Sequence, residues 1–448
     1  MEKLSFFEKL NYRIRNSITI KLIVIGILFL IMLIPVSMIQ SLIREREYRR
    51  ADTIQEVSSK WGNEQTITGP ILSIPYKSYY KENNNDKLIT FIKYAHFLPD
   101  DLNISGKINP ELRYRGIYEV VVYKSDMKFS GKFSAPDFSD WNIEEKDILW
   151  NDAFVSIGIS DMRGIEDYIN MKWNNEILSF NPGIETKDII SSGISCRYPV
   201  KDKKMIYEFS LDIKLNGSQK LYYTPLGRET FVKISSNWTT PSFDGAYLPD
   251  NRKITEKDFE AEWKILHLNR NYPQKWLNNS FNVNDSEFGV KLLIAVDQYK
   301  KSMRSAKYAS MFISLTFLMF FFVEVMNKKK IHPIQYILVG LALCIFFTLL
   351  LSISEHINFD LSYLISSLII VFVITGYAKT IFQKNKLIVL LAGILVILYG
   401  FIYTVLQLED YALLLGSFGL LIIISLLMYF SRKINWYDLE LEVNNEEK

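Results

Sequence analysis

The most constraining feature of this 448-residue chain lies at its C-terminal end, where five long apolar runs follow one another at 308–323, 331–354, 361–378, 387–408 and 411–431. Each is close to the ~20 residues an α-helix needs to cross a hydrocarbon core of ~30 Å. All five are expected to span a membrane. The charge on their short connections alternates. Lys328, Lys329 and Lys330 follow the first run, Lys379, Lys384 and Lys386 the third, and Arg432 and Lys433 the fifth. The intervening loops carry Glu355 and Asp360, then Glu409 and Asp410. Positive charge is retained on the cytoplasmic side, so the tail after the fifth run is expected in the cytoplasm.

A sixth apolar run, 22–43, lies near the N-terminus and is too long for a signal-peptide core. It reads as an uncleaved signal anchor over 18–43. Residues 1–17 precede it, with Leu4, Phe7, Leu10 and Ile14 at helical spacing and basic residues mostly off that stripe. They form an interfacial amphipathic helix or, alternatively, a basic tail. With these basics inside, the chain after 43 emerges on the far face. Arg44, Arg46, Arg49 and Arg50 on that face run against the charge rule, which long translocated domains largely escape. The helix is expected to continue to Trp61 as a stalk ended by Gly62. Its arginines touch anionic headgroups or form a solvated face.

Between these blocks the chain alternates with period two. Phe259, Ala261, Trp263 and Ile265 interleave with Glu260, Glu262 and Lys264, and Tyr207 through Leu215 does the same. Val155, Ile157 and Ile159 repeat it briefly. Such stretches are antiparallel strands with one wet face, and a β-sandwich is the expected architecture. Further strands are expected near 71–76, 88–97, 113–123, 127–133 and 229–238, with Asn216-Gly217 turning a hairpin between 205–215 and 219–224. The fold class is thus an α+β membrane protein with one N-terminal and five C-terminal transmembrane helices around a β-sandwich-like domain. Its segments are 1–17, 18–43, 44–304 (β-rich, with the stalk), 305–431 (five helices) and 432–448. The β-region is one unit or two, divided near 135–150 or 170–205.

Chemistry-bearing motifs are sparse. The histidines His96, His267, His332 and His356 are isolated in sequence, and HExxH, CxxC, GxSxG and phosphate-cradling glycine loops are absent. No catalytic residue, metal ligand or cofactor is expected. Cys196 and Cys344 read as packing residues that cannot meet. A net charge of +3 without a basic, aromatic-interleaved stripe argues against nucleic acid as a partner. Asp161 and Arg163, in the Gly158–Gly164 stretch, either bind a polar ligand or close a strand end. Ionisable groups at membrane depth are functional candidates by default. These are Glu324, paired with Lys328 four residues on, then His332, Gln335 and Tyr336, and at the opposite end Glu355 and His356.

The chain also resembles the CreD family of bacterial inner-membrane proteins. The resemblance is carried by Thr68-Gly-Pro-Ile-Leu-Ser-Ile-Pro75, Ser160-Asp-Met-Arg-Gly-Ile165, Ser236-Asn-Trp238 with Pro241-Ser-Phe243 and Leu248-Pro249, and Asp297-Gln-Tyr299. It continues through Glu324, His332-Pro-Ile-Gln-Tyr-Ile-Leu-Val-Gly340, Ser354-Glu-His356, Leu413-Leu-Leu-Gly416 and Trp436-Tyr-Asp438, with Asn435 where Asp is expected. What it implies is a Gram-negative inner-membrane protein induced by a two-component system and linked to envelope integrity and colicin tolerance, with no reaction. Membrane lipids and periplasmic or envelope proteins are then the expected partners. The alternative reading of the helical block is a transporter or lipid exporter, and a periplasmic hydrolase is a third.

Overall fold

The computed structural model describes residues 18–81, 88–294, 298–327, 331–382, 384–408 and 411–432. The amphipathic reading of 1–17, the lysines 328–330, the acids Glu409 and Asp410, and Trp436-Tyr437 fall outside them. The chain divides into two compact units, Arg50–Ala295 and the remainder.

Seven α-helices occur among the described residues: α1 Ile18–Trp61, α2 Gln298–Lys307, α3 Ala309–Met326, α4 Pro333–Ser354, α5 Phe359–Ile381, α6 Asn385–Gln407 and α7 Ala412–Ser431. The apolar part of α1 and helices α3 to α6 are each long and apolar enough to cross a membrane, and α7 adds an apolar helix of 20 residues. Apolar residues surround these helices on all sides, the pattern of a helix immersed in lipid. On α1, Ile25, Leu28, Met32, Val36, Ile39 and Ile43 are buried, whereas Ile23, Ile27, Leu30, Ile34 and Met38 are exposed. The buried set follows the 3–4 spacing of one helical face, so this face packs and the other meets lipid. Gly340 of α4 permits the close approach: a Cβ there would stand 2.9 Å from the Met32 sulfur.

The Arg50–Ala295 unit is built on two stacked sheets. The first orders Pro241–Gly245, Phe288–Leu292, Lys220–Tyr223, Gln65–Lys81, Phe154–Ile159, Gly193–Arg197 and Asn181–Pro182, with Leu88–Phe97 paired to the outer part of Gln65–Lys81 and Lys275–Leu277 beside it. The second orders Asn251–Ile254, Phe259–Leu266, Glu229–Ser236, Asp101–Arg115, Tyr118–Phe133, Tyr207–Ser218, Asn170–Trp173 and Glu176–Ser179. One continuous apolar cluster, from Ile67 to Leu292, joins their inner faces, so the region has a single core rather than two.

Period-two stretches form strands as expected: Tyr207–Leu215 and Phe259–Ile265 bury every second side chain. Four local readings change. Pairing is mostly antiparallel, but Gln65–Ile67 runs parallel to Leu221–Tyr223 and Asp101–Ile108 parallel to Glu229–Ser236, so the sheets are mixed. Phe154–Ile159 is buried on both faces rather than on one, as a strand covered on each side of the first sheet is. Asn216-Gly217 turns no hairpin: Tyr207–Ser218 continues through it, with Gly217 opposite Tyr123, and the chain crosses to the other sheet at Gln219, whose φ is 59°. Gly217 serves proximity, since a Cβ there would meet the Tyr123 hydroxyl at 2.3 Å. The hairpin turn sits instead at Gly116, φ 61°, inside the stretch expected as strand 113–123.

Candidate functional site

Glu324 lies in the last turn of α3, with only 2% of its side chain exposed. Two sequence-distant groups meet it there. Lys21 of α1 donates from Nζ to Oε1 at 2.7 Å, and the Tyr336 hydroxyl of α4 donates to Oε2 at 3.0 Å. The Ile331 backbone N–H adds a third bond to Oε1 at 3.0 Å. A carboxylate has about four lone-pair positions, so these three donors, one of them the Lys21 cation, nearly fill its shell.

The sequence that follows arranges this site. His332 is the N-cap of α4, its Nδ1 accepting the Ile334 N–H at 3.3 Å, and Gln335 Oε1 accepts the His332 N–H at 2.9 Å. Pro333 takes the first helical position, where its missing N–H costs nothing. His332 and Gln335 thus form a capping box that fixes where α4 begins. Tyr336, one residue further, is buried and turned onto Glu324. Of the candidates at this end, Glu324 and Tyr336 share a site, while His332 and Gln335 position it. Lys328 lies outside the described residues; among these, the cation on Glu324 is Lys21.

At the other end of α4, Glu355 occupies the C-cap and is mostly buried. An acid there opposes the helix dipole and needs compensation. It accepts a hydrogen bond from the Tyr299 hydroxyl at 3.2 Å and lies 3.8 Å from Arg46 Nη1. His356 is exposed in the turn beyond. Lys21 and Arg46 are 25 residues apart on α1, about 37 Å along a helix, and α4 has 22 residues, about 33 Å. Both acids therefore mark the ends of a length matching a bilayer core, and α1 is tied to the bundle at both.

Asp161 and Arg163 also come together, in the β-unit. Arg163 donates from Nε and Nη2 to the two Asp161 oxygens at 2.9 and 2.8 Å, and from Nη1 to the Ser59 carbonyl at 2.6 Å. Asp161 Oδ2 accepts the Asn63 N–H at 2.9 Å. Ser59 and Asn63 flank the end of α1, where helical carbonyls lose their partners. Gly62, at φ 150°, lies between them, and Gly164 packs so close that a Cβ would stand 2.2 Å from the Asn216 oxygen. The Asp161–Arg163 pair therefore clamps the C-terminal end of the stalk. Burial pushes the Asp161 carboxyl up, but the bonds from Arg163 and Asn63 outweigh it and hold it below the usual range.

One constellation escaped the sequence. Ser73 Oγ lies 2.9 Å from His96 Nδ1, and His96 Nε2 lies 3.1 Å from Asp188 Oδ2. Ser73 and His96 are direct cross-strand partners, which makes their meeting a matter of register. The set has the members of a hydrolytic triad but not its working form. The ring nitrogens are exchanged relative to a triad in which Nε2 faces the serine, and Ser73 and His96 are each only 1% exposed. The Ser73 backbone is flanked on both sides by paired strands. It is a buried polar strut holding the Asp188 loop to the sheet, and the interaction with His96 keeps the Asp188 carboxyl below its ordinary value. Among the described residues no group of His, Cys, Asp and Glu could hold a metal ion. Burial pushes the Cys196 thiol up to about 12, which makes it inert.

Apolar helices of crossing length joined to a large β-domain inserted between the first and the second define a polytopic membrane protein. A family model described as "Inner membrane protein CreD" matches residues 17–437. The Inner membrane protein CreD of Escherichia coli (strain K12) is 32% identical over 415 residues, covering 91% of each chain. The chain belongs to the CreD family of inner-membrane proteins.

Proposed function

We propose that this is a non-enzymatic protein of the bacterial inner membrane whose β-domain, on the periplasmic side, contacts envelope components and so supports envelope integrity. Both termini are then cytoplasmic and residues 44–304 periplasmic, as the alternating loop charges indicate. The observation that supports its non-enzymatic part is the Ser73–His96–Asp188 set, in which Ser73 and His96 are each 1% exposed within the first sheet. A hydrolytic role has no exposed nucleophile there. Two-component induction and colicin tolerance belong to the same reading, through the family. Its test is a chain lacking the β-domain but keeping the helices, which should fail to restore an envelope-sensitive deletion strain; full restoration would count against it. Periplasmic proteins or membrane lipids are the partners, to be captured by crosslinking from the β-domain surface in intact cells.

Transport or lipid export is favoured by a different observation, the buried charge of Glu324. Its test is Glu324→Gln expressed at the wild-type level. An unchanged phenotype removes transport while leaving the β-domain reading standing.

A further inference from the structure

Many hydroxyl side chains in the helical unit satisfy themselves locally, whereas Ser302 and Ser305 of α2, Thr316 of α3 and Ser366 of α5 are buried without a partner among the described residues. Ser354, Ser362, Ser367, Thr375, Thr380 and Thr404 each donate to a carbonyl three or four residues earlier in their own helix. That is the least costly way to satisfy a hydroxyl in an apolar medium. Thr316 of α3 and Ser366 of α5 do not use it. Both are fully buried, at 1% and 0% exposure, and neither hydroxyl has a partner within the described protein. The Tyr399 hydroxyl of α6 is likewise buried and without a partner.

These three positions are not scattered. The Tyr399 ring packs on Phe312 and Phe346, each at 4.8 Å between centroids, and its backbone carbonyl accepts the Tyr363 hydroxyl at 2.8 Å. Thr316 lies one turn beyond Phe312 on α3, and Ser366 one turn beyond Tyr363 on α5. Helices α3 and α5 run in the same direction, since α4 returns between them, so both hydroxyls lie at one depth. Helical side chains lean toward their own N-terminus, and α6 runs opposite to α5. The Tyr399 side chain therefore leans from the aromatic cluster toward that same depth. The charge on α3 is remote from this level: Glu324 is eight residues further along, about 12 Å.

We propose that Thr316, Ser366 and Tyr399 form a binding site inside the helical bundle for a small uncharged hydroxyl-bearing group. Its chemistry is that of water or of the glycerol hydroxyls of a phospholipid headgroup. Three hydroxyls on three helices, with neutral aromatic walls, match a ligand that both donates and accepts but carries no charge. The site stands apart from the envelope role and from Glu324.

The test is the thermal midpoint of the purified full-length protein in detergent. If the hydroxyls are merely unsatisfied, Thr316→Val, Ser366→Ala and Tyr399→Phe should leave the midpoint unchanged or raise it, because an apolar replacement relieves a buried unpaired group. If they hold a ligand, each variant loses a hydrogen bond, and a fall of about 2–4 °C is expected. Thr316→Ser, which keeps the hydroxyl, should recover at least half of the Thr316→Val fall. A fall that persists after delipidation identifies water. One that disappears on delipidation and returns with phosphatidylglycerol identifies the headgroup. Unchanged or raised midpoints in all three variants, or equal falls for Thr316→Ser and Thr316→Val, overturn the site.

Discussion

Two carboxylates, Asp161 in the β-unit and Glu324 in the helical unit, show what surroundings do to the same chemistry. Each accepts hydrogen bonds from a basic side chain and from a backbone N–H. Asp161 faces an arginine that is 56% exposed, and its pair completes the end of a helix, so architecture accounts for it. Glu324 is 2% exposed and its lysine 17%, between helices that are otherwise largely apolar. An ion pair there gives little net stability against an apolar replacement, because desolvation offsets the attraction. What it gives is uniqueness: α1, α3 and α4 have one arrangement in which Lys21, Glu324 and Tyr336 are all satisfied.

The largest expected effect breaks that arrangement. Glu324→Ala leaves a cation, a hydroxyl and an N–H without an acceptor, and should cost about 3–5 kcal/mol, read as a large fall in the thermal midpoint. The double variant Lys21→Met with Glu324→Leu should cost much less than the sum of the single changes; additive losses would show that the two residues do not act as a pair. In the β-unit, Asp161→Asn should cost roughly 1.5–3 kcal/mol and open the chain near Gly62 to protease. If digestion there is unchanged, the clamp does not hold the stalk. Gly164→Ala should cost about 1–3 kcal/mol, since its Cβ would overlap the Asn216 carbonyl. Tyr336→Phe removes one of three donors to Glu324 and should cost roughly 0.5–1.5 kcal/mol.

Acidification tests the Asp161 clamp. Asp161 is held below its ordinary pKa in the folded chain. Its contribution is therefore complete above the ordinary carboxylate value of about 3.9 and is lost as pH falls through the lower folded value. Protease sensitivity near Gly62 should rise only below about pH 4. The Asp161→Asn chain should lack this acid-dependent rise; its persistence would assign the effect to another group.

The comparison also separates what was legible from what was not. Glu324, His332, Gln335 and Tyr336 stand out because an acid, a cap signal and a tyrosine interrupt apolar sequence. Lys21 does not, because it lies 303 residues from its partner and reads as one more basic residue beside an anchor. Asp161 and Arg163 are two residues apart, so their pairing was within reach, but the Ser59 carbonyl they complete lies 104 residues from Arg163. Ser73, His96 and Asp188 are invisible as a set because cross-strand register brings the first two together.

Apolar length, residue period and loop charge are local quantities, and they alone determined that this chain makes crossing helices, alternating strands and a helix opening at His332-Pro333. Which sheet a strand joins, why Gly217 is glycine and which cation meets Glu324 were decided only by the folded chain. The reason is that an apolar run or a strand satisfies most of its own backbone wherever it sits, whereas a buried charge or an unpaired hydroxyl is satisfied only by what tertiary packing sets beside it.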